Sequence, residues 1–427
     1  MTIHDSDLVQ IEKPVYGGSC LARLNGKAVF VPLTLPGEQV RIHVTEDKRG
    51  YSNAEVEEVV TSAPERIEPA CAHFGTCGGC QYQHSDHATQ LAWKQAILRE
   101  TLLRGGVHFD CKMDILAADP WLYRNRVRLA VDRQGNIGYR GRRSHAVAPI
   151  DACPIAAPLL LRAAKAFADE LGESTKAHQV TELGLFCNAT EDALLASVIA
   201  SGHARIRFND VAAAVAQRIP QLQGAELILD AGPSKPPRTL AQWGSPSLVY
   251  HASGFDYRVD QGAFFQVNRW LIDELVRQVT ANRSGGLAWD LFAGVGLFAR
   301  PLTRSFQRVV AVESAPASQA SLRENLRGSC GEAVHAETLS FLRKQAGASR
   351  PDLVVVDPPR FGLGAEATSL LSAVAAPSIV YVSCDPATLA RDLKSLVASG
   401  YSVASITLID LFPQTYHLET MVQLCRS

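Results

Sequence analysis

The sequence predicts an α/β protein with three parts: a small N-terminal β-barrel, an α+β central domain and a C-terminal domain with a Rossmann-like sheet. Short strands between glycine turns at about residues 8–60, and apolar strands alternating with helices after Gly262, carry this prediction. With 427 residues, 47% of them hydrophobic, the chain is long enough for more than one core. We place the three parts at residues 1–62, 63–250 and 251–427.

The barrel is predicted from strand-like segments at 28–31 and 39–44, which turns at 17–18, 25–26 and 35–37 separate. A helix is predicted next, over about residues 86–104, because apolar residues recur there at helical spacing. The central part is mixed, with strand-like residues 127–131 and 194–199 on either side of a helix-like segment at 158–171. This mixture is the reason for predicting an α+β domain.

The C-terminal part contains four apolar strand-like segments, at 287–292, 309–312, 353–356 and 379–382. Strands that are apolar on both faces are typical of a parallel sheet covered by helices. The first segment runs into a glycine turn, and Glu313 and Asp357 close the next two predicted strands. Ligands of such sheets bind outside the carboxyl ends of the strands, where an acid accepts hydrogen bonds from ribose.

The glycine turn itself, with Gly294 and Gly296, lets a ligand approach the backbone closely. A dinucleotide site prefers a third glycine where this chain has Ala299. The loop and its acids therefore favour S-adenosylmethionine over a dinucleotide.

Cys384 directly follows the fourth apolar strand and precedes Asp385 and Pro386, which are suited to the N-cap and first position of a helix. A helix N-terminus lowers the pKa of a thiol, although the Asp385 carboxylate opposes this, so a nucleophile is predicted. The alternative is a buried small side chain. Arg360 stands where amino methyltransferases carry an aromatic ring that holds the base, which disfavours methylation of an exocyclic amine.

Carbon 5 of uracil is a different methyl acceptor, because it becomes nucleophilic only after a thiolate adds to carbon 6. A base must then remove the proton from carbon 5. Glu419, in the segment after the last predicted strand, is the candidate for that base.

Three cysteines, Cys71, Cys77 and Cys80, have the spacing C-x5-C-x2-C, and Cys153 is the candidate for a fourth ligand. Four thiolates fit either a structural zinc ion or an iron–sulfur cluster, and the spacing leaves both open. The remaining five thiols are expected to be core or incidental: Cys20, Cys111, Cys187, Cys330 and Cys425.

A basic segment between residues 123 and 143 stands out in a chain with a formal charge of −1. Arg124, Arg126 and Arg128 alternate along a predicted strand and so share a face, which suits phosphate contacts with RNA. The alternative is a solvated structural face. No signal segment and no apolar run of roughly 20 residues is present, so we expect a cytoplasmic monomer without a membrane partner.

Together these motifs resemble those of the RNA uridine-C5 methyltransferase family, in the branch that makes 5-methyluridine in 23S ribosomal RNA. The barrel is similar to a TRAM domain, an OB-like RNA-binding barrel, and the four cysteines match the family's ligands for a [4Fe-4S] cluster, which favours iron–sulfur over zinc. The resemblance implies that Cys384 is the nucleophile and Glu419 the base. The residues implied to bind S-adenosylmethionine are Gln266, Phe292, Gly294, Gly296, Leu297, Glu313, Thr338 and Asp357.

Two of these positions depart from the family pattern, since Leu297 replaces a frequent asparagine and Thr338 stands where a polar contact is expected. Three other functions stay open. A transfer RNA uridine-C5 methyltransferase would use the same residues, and a cytosine-C5 RNA methyltransferase also adds a cysteine to carbon 6 but usually has two cysteines. A non-catalytic RNA-binding assembly factor would keep the barrel and the cluster alone.

Overall fold

Three sheets organise the chain in this computed structural model, which describes residues 7–172, 180–201, 206–230, 232, 237–345 and 347–426. The first sheet is a closed five-stranded barrel, the second has seven strands and the third has eight. None of the helices in the described ranges combines the length and apolar character needed to cross a membrane.

The barrel confirms the sequence prediction for the N-terminal part. Its strands are β1 (Asp7–Val15), β2 (Ser19–Leu24), β3 (Lys27–Pro32), β4 (Gln39–Asp47) and β5 (Tyr51–Thr61), in the order β1-β2-β3-β5-β4. The ring closes because β1 pairs with both β2 and β4. Its interior is filled by apolar side chains, among them Val9, Ile11, Ala22, Val29, Val31, Val40 and Ile42.

The next helix and strand attach to the C-terminal sheet, which corrects the prediction that they belong to the central part. Helix α1 (His87–Arg104) begins after its N-cap Asp86, whose Oδ1 accepts a hydrogen bond from the Thr89 N–H at 2.8 Å. Strand β6 (Met113–Leu116) follows it. Both elements bury their apolar residues in the core of the third sheet. Residues 63–250 are therefore divided between two bodies.

The central sheet contains β7 (Arg126–Val131), β8 (Ile137–Arg140), β9 (Val147–Pro149), β10 (Val180–Cys187), β11 (Leu194–Ser201), β12 (Leu222–Asp230) and β13 (Arg238–Gly244). Helices α2 (Pro158–Leu171) and α3 (Phe208–Arg218) pack on one face of it. The strand order is β13-β12-β11-β10-β7-β8-β9. A hairpin of β14 (Ser247–Ala252) and β15 (Phe255–Asp260) then joins the core of the C-terminal sheet.

The C-terminal domain has a mostly parallel sheet with helices on both faces. Its elements are α4 (Ile272–Thr280), β16 (Gly285–Leu291), α5 (Ala299–Leu302), β17 (Phe306–Glu313), α6 (Pro316–Asn325), β18 (Gly331–His335), α7 (Thr338–Gln345), β19 (Leu353–Val356), α8 (Gly364–Val374), β20 (Ser378–Ser383), α9 (Pro386–Ala398), β21 (Tyr401–Ile409) and β22 (Glu419–Arg426). The strand order is β18-β17-β16-β19-β20-β22-β21-β6.

Two features of this sheet differ from the prediction. Strand β18, which was not predicted, comes between β17 and β19 in the chain but lies at the edge of the sheet next to β17. It has no apolar run because it is short and partly exposed. Strand β22 inserts between β20 and β21 and is antiparallel to both. Glu419 is therefore the first residue of a strand, whereas the sequence placed it after the last one.

Candidate active site and cysteine cavity

Cys384 lies at the carboxyl edge of the C-terminal sheet, between β20 and α9. Asp385 is the N-cap of α9, as predicted, and its Oδ1 accepts hydrogen bonds from the N–H groups of Ala387 and Thr388 at 3.0 and 2.9 Å. Strand β22 pairs with β20 so that Thr420 lies opposite Ser383. This register brings Glu419 next to Cys384, although 34 residues separate them in the chain.

The surroundings of Cys384 raise the pKa of its thiol to about 12. Burial is the main cause, the charges of Glu419 and Asp357 add to it, and Arg360 opposes them. The sequence argument from the helix N-terminus predicted a lowered pKa and was wrong, because it could not include the burial of the thiol or these two carboxylates. A pKa of about 12 favours the protonated thiol at neutral pH.

Several carboxyl groups are buried together at this edge. Burial raises the pKa of Glu419 well above its ordinary value, and the charge of Asp357 raises it further. Burial likewise raises the pKa of Asp357. Asp290, on β16, is completely buried, and burial raises its pKa well above the ordinary value against one backbone hydrogen bond from Ala299. Such a set favours a ligand that brings positive charge and hydrogen-bond donors.

The glycine turn after β16 is fixed by Glu313. Its Oε2 accepts a hydrogen bond from the Gly294 N–H at 2.8 Å, and its Oε1 accepts from the N–H groups of Ser314 and Ala315 at 2.8 and 2.7 Å. An ionised carboxylate offers about four acceptor positions, so Glu313 can still accept from a ligand. Gly296 has φ +90° and lies so close to α6 that a Cβ would be 2.8 Å from the Leu322 side chain.

Gln266 contacts another predicted cofactor residue, Asp357. Its Nε2 donates to Asp357 Oδ2 at 3.5 Å. Phe292 adopts φ +63° in the turn itself. Thr338 is buried at the start of α7. The side chain of Leu297 packs in the apolar core, so it offers a ligand nothing beyond its backbone.

Two polar residues at this edge were missed by the sequence analysis. Asp290 could have been found as an acid inside an apolar strand. Gln319 lies on the second turn of α6, is 3% exposed, and has no hydrogen-bond partner for either side-chain amide atom in the described residues. Unpaired buried polar atoms are costly, so the Gln319 amide is a candidate contact for a polar ligand.

Helix α1 holds the segment that leads into Glu419. Lys94 Nζ donates to Asp410 Oδ1 at 2.6 Å, and His87 Nε2 lies 2.7 Å from Asp410 Oδ2. Gln90 and Gln414 form two hydrogen bonds, one between their side chains at 2.9 Å and one from the Gln414 N–H at 3.0 Å. The Lys94–Asp410 contact is charge-assisted and buried, and the Gln90–Gln414 hydrogen bonds are buried, so together they hold the segment that leads into β22.

The barrel also reaches the active site, through Tyr16. Its hydroxyl donates to Asp385 Oδ2 at 3.3 Å, beside the nucleophile. Its ring packs edge-on against Tyr416, three residues before Glu419, with 5.7 Å between ring centroids. Tyr16 of the barrel segment therefore contacts the two segments that carry Cys384 and Glu419.

The four cysteines Cys71, Cys77, Cys80 and Cys153 line one cavity of about 350 Å³. Burial raises the pKa of Cys80 to about 12 and also raises the pKa values of Cys77 and Cys153, and the neighbouring cysteines add to each shift. Within the described residues, no three His, Cys, Asp or Glu side chains converge tightly enough for a single metal ion.

The three predicted RNA-binding arginines line the same cavity. Arg128 is exposed and pairs with Glu182 at 2.6 Å. Arg126 points into the protein, where it donates to the Ala263 carbonyl at 2.8 Å and lies 4.2 Å from the Phe186 ring centroid. Arg124 is partly exposed, and its Nε donates to the Arg126 carbonyl at 3.0 Å. Arg128 is the most exposed of the three, and phosphate contacts of these arginines stay a prediction.

Comparison with known proteins gives a consistent result. Residues 245–427 match the family model described as tRNA (Uracil-5-)-methyltransferase, and residues 8–56 match the TRAM domain. The chain is 33% identical to the 23S rRNA (uracil(1939)-C(5))-methyltransferase RlmD of Pectobacterium atrosepticum, over 95% of this chain and 90% of that one. It is 31% identical to an uncharacterized RNA methyltransferase of Thermotoga maritima, over 98% of each.

A similar fold has been solved by crystallography. The tRNA (uracil-54, C5)-methyltransferase of Pyrococcus abyssi, in complex with S-adenosyl-L-homocysteine, superposes with a TM-score of 0.78 over 97% of this chain and 100% of that one. Sequence identity in that pair is 23%.

Proposed function

The chain belongs to the RNA uracil-C5 methyltransferase family, and we propose that it transfers a methyl group from S-adenosylmethionine to carbon 5 of a uridine in 23S ribosomal RNA. The observation that carries the proposal is the meeting of Cys384 and Glu419 across β20 and β22, at the carboxyl edge that also bears the glycine turn. A thiol and a carboxyl group are the two groups that this chemistry requires.

In the proposed reaction, Cys384 loses its thiol proton to solvent, and the resulting thiolate forms a bond to carbon 6 of the uracil ring as the double bond between carbons 5 and 6 opens. Carbon 5 then carries the electron density that attacks the methyl group of the sulfonium donor. Glu419 removes the proton from carbon 5, and the electrons of that bond re-form the double bond as the bond to Cys384 breaks. A raised pKa makes Glu419 a stronger base for this step once it is ionised.

The proposed donor site is the crevice around the glycine turn. Glu313 is positioned to accept hydrogen bonds from the ribose hydroxyls of the donor. Gln266 and Asp357 form the opposite wall of the crevice. The buried acids and the unpaired amide of Gln319 support a ligand with a sulfonium and an amino group.

We propose that Cys71, Cys77, Cys80 and Cys153 hold a [4Fe-4S] cluster, which when bound cross-links the cysteine loop to the central sheet. Anaerobically purified protein should be brown and contain about four iron atoms per chain. Cys153→Ala is expected to lose most of that iron, whereas Cys111→Ala, outside the cavity, should keep it. Stoichiometric zinc without iron in the wild-type protein would contradict the cluster.

The structure gives a reason to prefer uridine over cytosine chemistry. Cytosine-C5 RNA methyltransferases usually use a second cysteine, and Cys425, on the same strand as Glu419, lies at the far end of β22 opposite Ser378.

Intact acids around the crevice disfavour a non-catalytic assembly factor. We further propose a cytoplasmic monomer, because ribosomal RNA is in that compartment and one chain supplies both catalytic residues.

The substrate can be tested by incubating the enzyme with labelled S-adenosylmethionine and either 23S ribosomal RNA or bulk transfer RNA from cells that lack it. We expect mass spectrometry to find labelled 5-methyluridine in the ribosomal RNA, and none when Cys384→Ala replaces the wild type. Label confined to transfer RNA would favour the second substrate class. Labelled 5-methylcytidine would overturn the proposed reaction.

A further inference from the structure

The turn between β19 and α8 presents an exposed aromatic ring near the nucleophile. Phe361 is 68% exposed, more than any other large apolar side chain in the described ranges. Pro359 and Arg360, immediately before it, are also exposed, whereas Leu363 is buried. Because the ring is left in water, its burial contributes little to the stability of the fold.

The backbone of this turn is held rigidly by α9. The Thr388 hydroxyl donates to the Arg360 carbonyl at 3.0 Å, and the Arg391 guanidinium donates to the Phe361 carbonyl at 2.7 Å. Both anchoring residues lie in the first two turns of the helix that begins beside Cys384. The position of Phe361 is therefore fixed relative to the nucleophile before any ligand arrives.

A buried carboxylate fastens the other side of the turn. Asp392 Oδ2 accepts hydrogen bonds from the Leu363 N–H at 2.7 Å and from the Tyr381 hydroxyl at 2.8 Å. Gly362 has φ +72°, and a Cβ there would lie 2.5 Å from Asp392 Oδ2. This packing leaves the Phe361 ring no route into the core, so it stays in solvent.

The charge beside the ring suits a nucleic acid. Arg360 Nη2 lies 3.4 Å from His417 Nδ1, two residues before Glu419, and no carboxylate within 4 Å pairs with Arg360 in the part of the chain that is described. Its charge lowers the pKa of Cys384, against the effect of burial. An exposed ring and a free cation thus stand together at the entrance to the active site.

We propose that Phe361 is a stacking platform for the base of a nucleotide that adjoins the target uridine in the RNA. The inference rests on the proposed function. A uridine that enters the active site must leave its stack, which exposes the faces of its neighbours to water. A fixed aromatic ring replaces the lost stacking for any base, and an adjacent arginine attracts the phosphate backbone.

Phe361→Ala is expected to weaken binding of the RNA that the wild-type enzyme methylates by about tenfold, the loss typical of one stacked base. Phe361→Trp should restore wild-type affinity and Phe361→Leu should not, because leucine keeps the apolar volume but lacks a π face. Fluorescence anisotropy of a labelled RNA fragment measures all three. Val249→Ala, which truncates another exposed apolar side chain (55% exposed), is the matched control and should have no effect.

A direct readout comes from 2-aminopurine placed on either side of the target uridine. Its fluorescence should be quenched on binding the wild type at one of the two positions, and less quenched on binding Phe361→Ala. Equal affinity and equal quenching in both proteins would overturn the proposal, as would a lower kcat with unchanged RNA affinity. The wild-type sample is first checked for 5-methyluridine formation, so failure of the proposed function is seen separately.

Discussion

Replacement of Cys384 by serine is expected to slow formation of 5-methyluridine by about 10⁴-fold or more, the scale seen when a covalent nucleophile is removed. Serine keeps the shape of the side chain, but its hydroxyl is far less acidic and far less nucleophilic than a thiol. Binding of S-adenosylmethionine and RNA should change little, because Cys384 forms its bond only during the reaction. Single-turnover assays with labelled donor measure the chemical step directly.

Cys330→Ser is the matched control, because this exposed thiol lies on the loop before β18 and should tolerate the same change without loss of rate. A Cys384→Ser enzyme that keeps more than about 1% of the wild-type rate would exclude covalent addition by this residue.

The raised pKa of Cys384 also fixes the sign of the pH dependence. Since the thiol is protonated at neutral pH, adduct formation by the wild type should increase as pH rises towards about 12.

Much of the fold and part of the site could be predicted because the signals are local. The barrel turns, the glycine turn at Gly294 and the N-cap at Asp385 each follow from a few consecutive residues. Helix α1 was predicted correctly over 86–104 for the same reason, since its periodicity lies within one segment. The α/β class of the C-terminal domain is confirmed, because apolar strands buried on both faces have a distinctive composition.

Features that depend on distant residues could not be predicted in this way. The attachment of α1 to the C-terminal sheet combines apolar packing with the buried pair of Lys94 and Asp410, which are 316 positions apart. The pKa of Cys384 was predicted with the wrong sign, because the burial of the thiol and the approach of Glu419 and Asp357 both depend on the antiparallel insertion of β22 and the parallel order of β19 and β20. The complete burial of Asp290 likewise depends on how the whole sheet packs.

Replacement of Glu419 by glutamine should separate methyl transfer from release of the product. Glutamine has the same size and removes the base, so Cys384 can still add and carbon 5 can still be methylated. Without proton removal the bond between Cys384 and carbon 6 cannot break, and turnover should fall by about 10²–10⁴-fold. The trapped complex should appear as a slowly migrating band in a denaturing gel, carrying the labelled methyl group.

The double variant Cys384→Ala with Glu419→Gln should give no such band, which tests that the trapped bond is made by Cys384. Glu419→Asp keeps a carboxylate but withdraws it by one methylene, so it should recover part of the turnover and accumulate less adduct. Burial and the charge of Asp357 raise the pKa of the Glu419 carboxyl. The high pKa suits a base that acts late in the reaction. Full turnover by Glu419→Gln would assign proton removal to another group, and Asp357, the second buried acid beside Glu419, would be the next candidate.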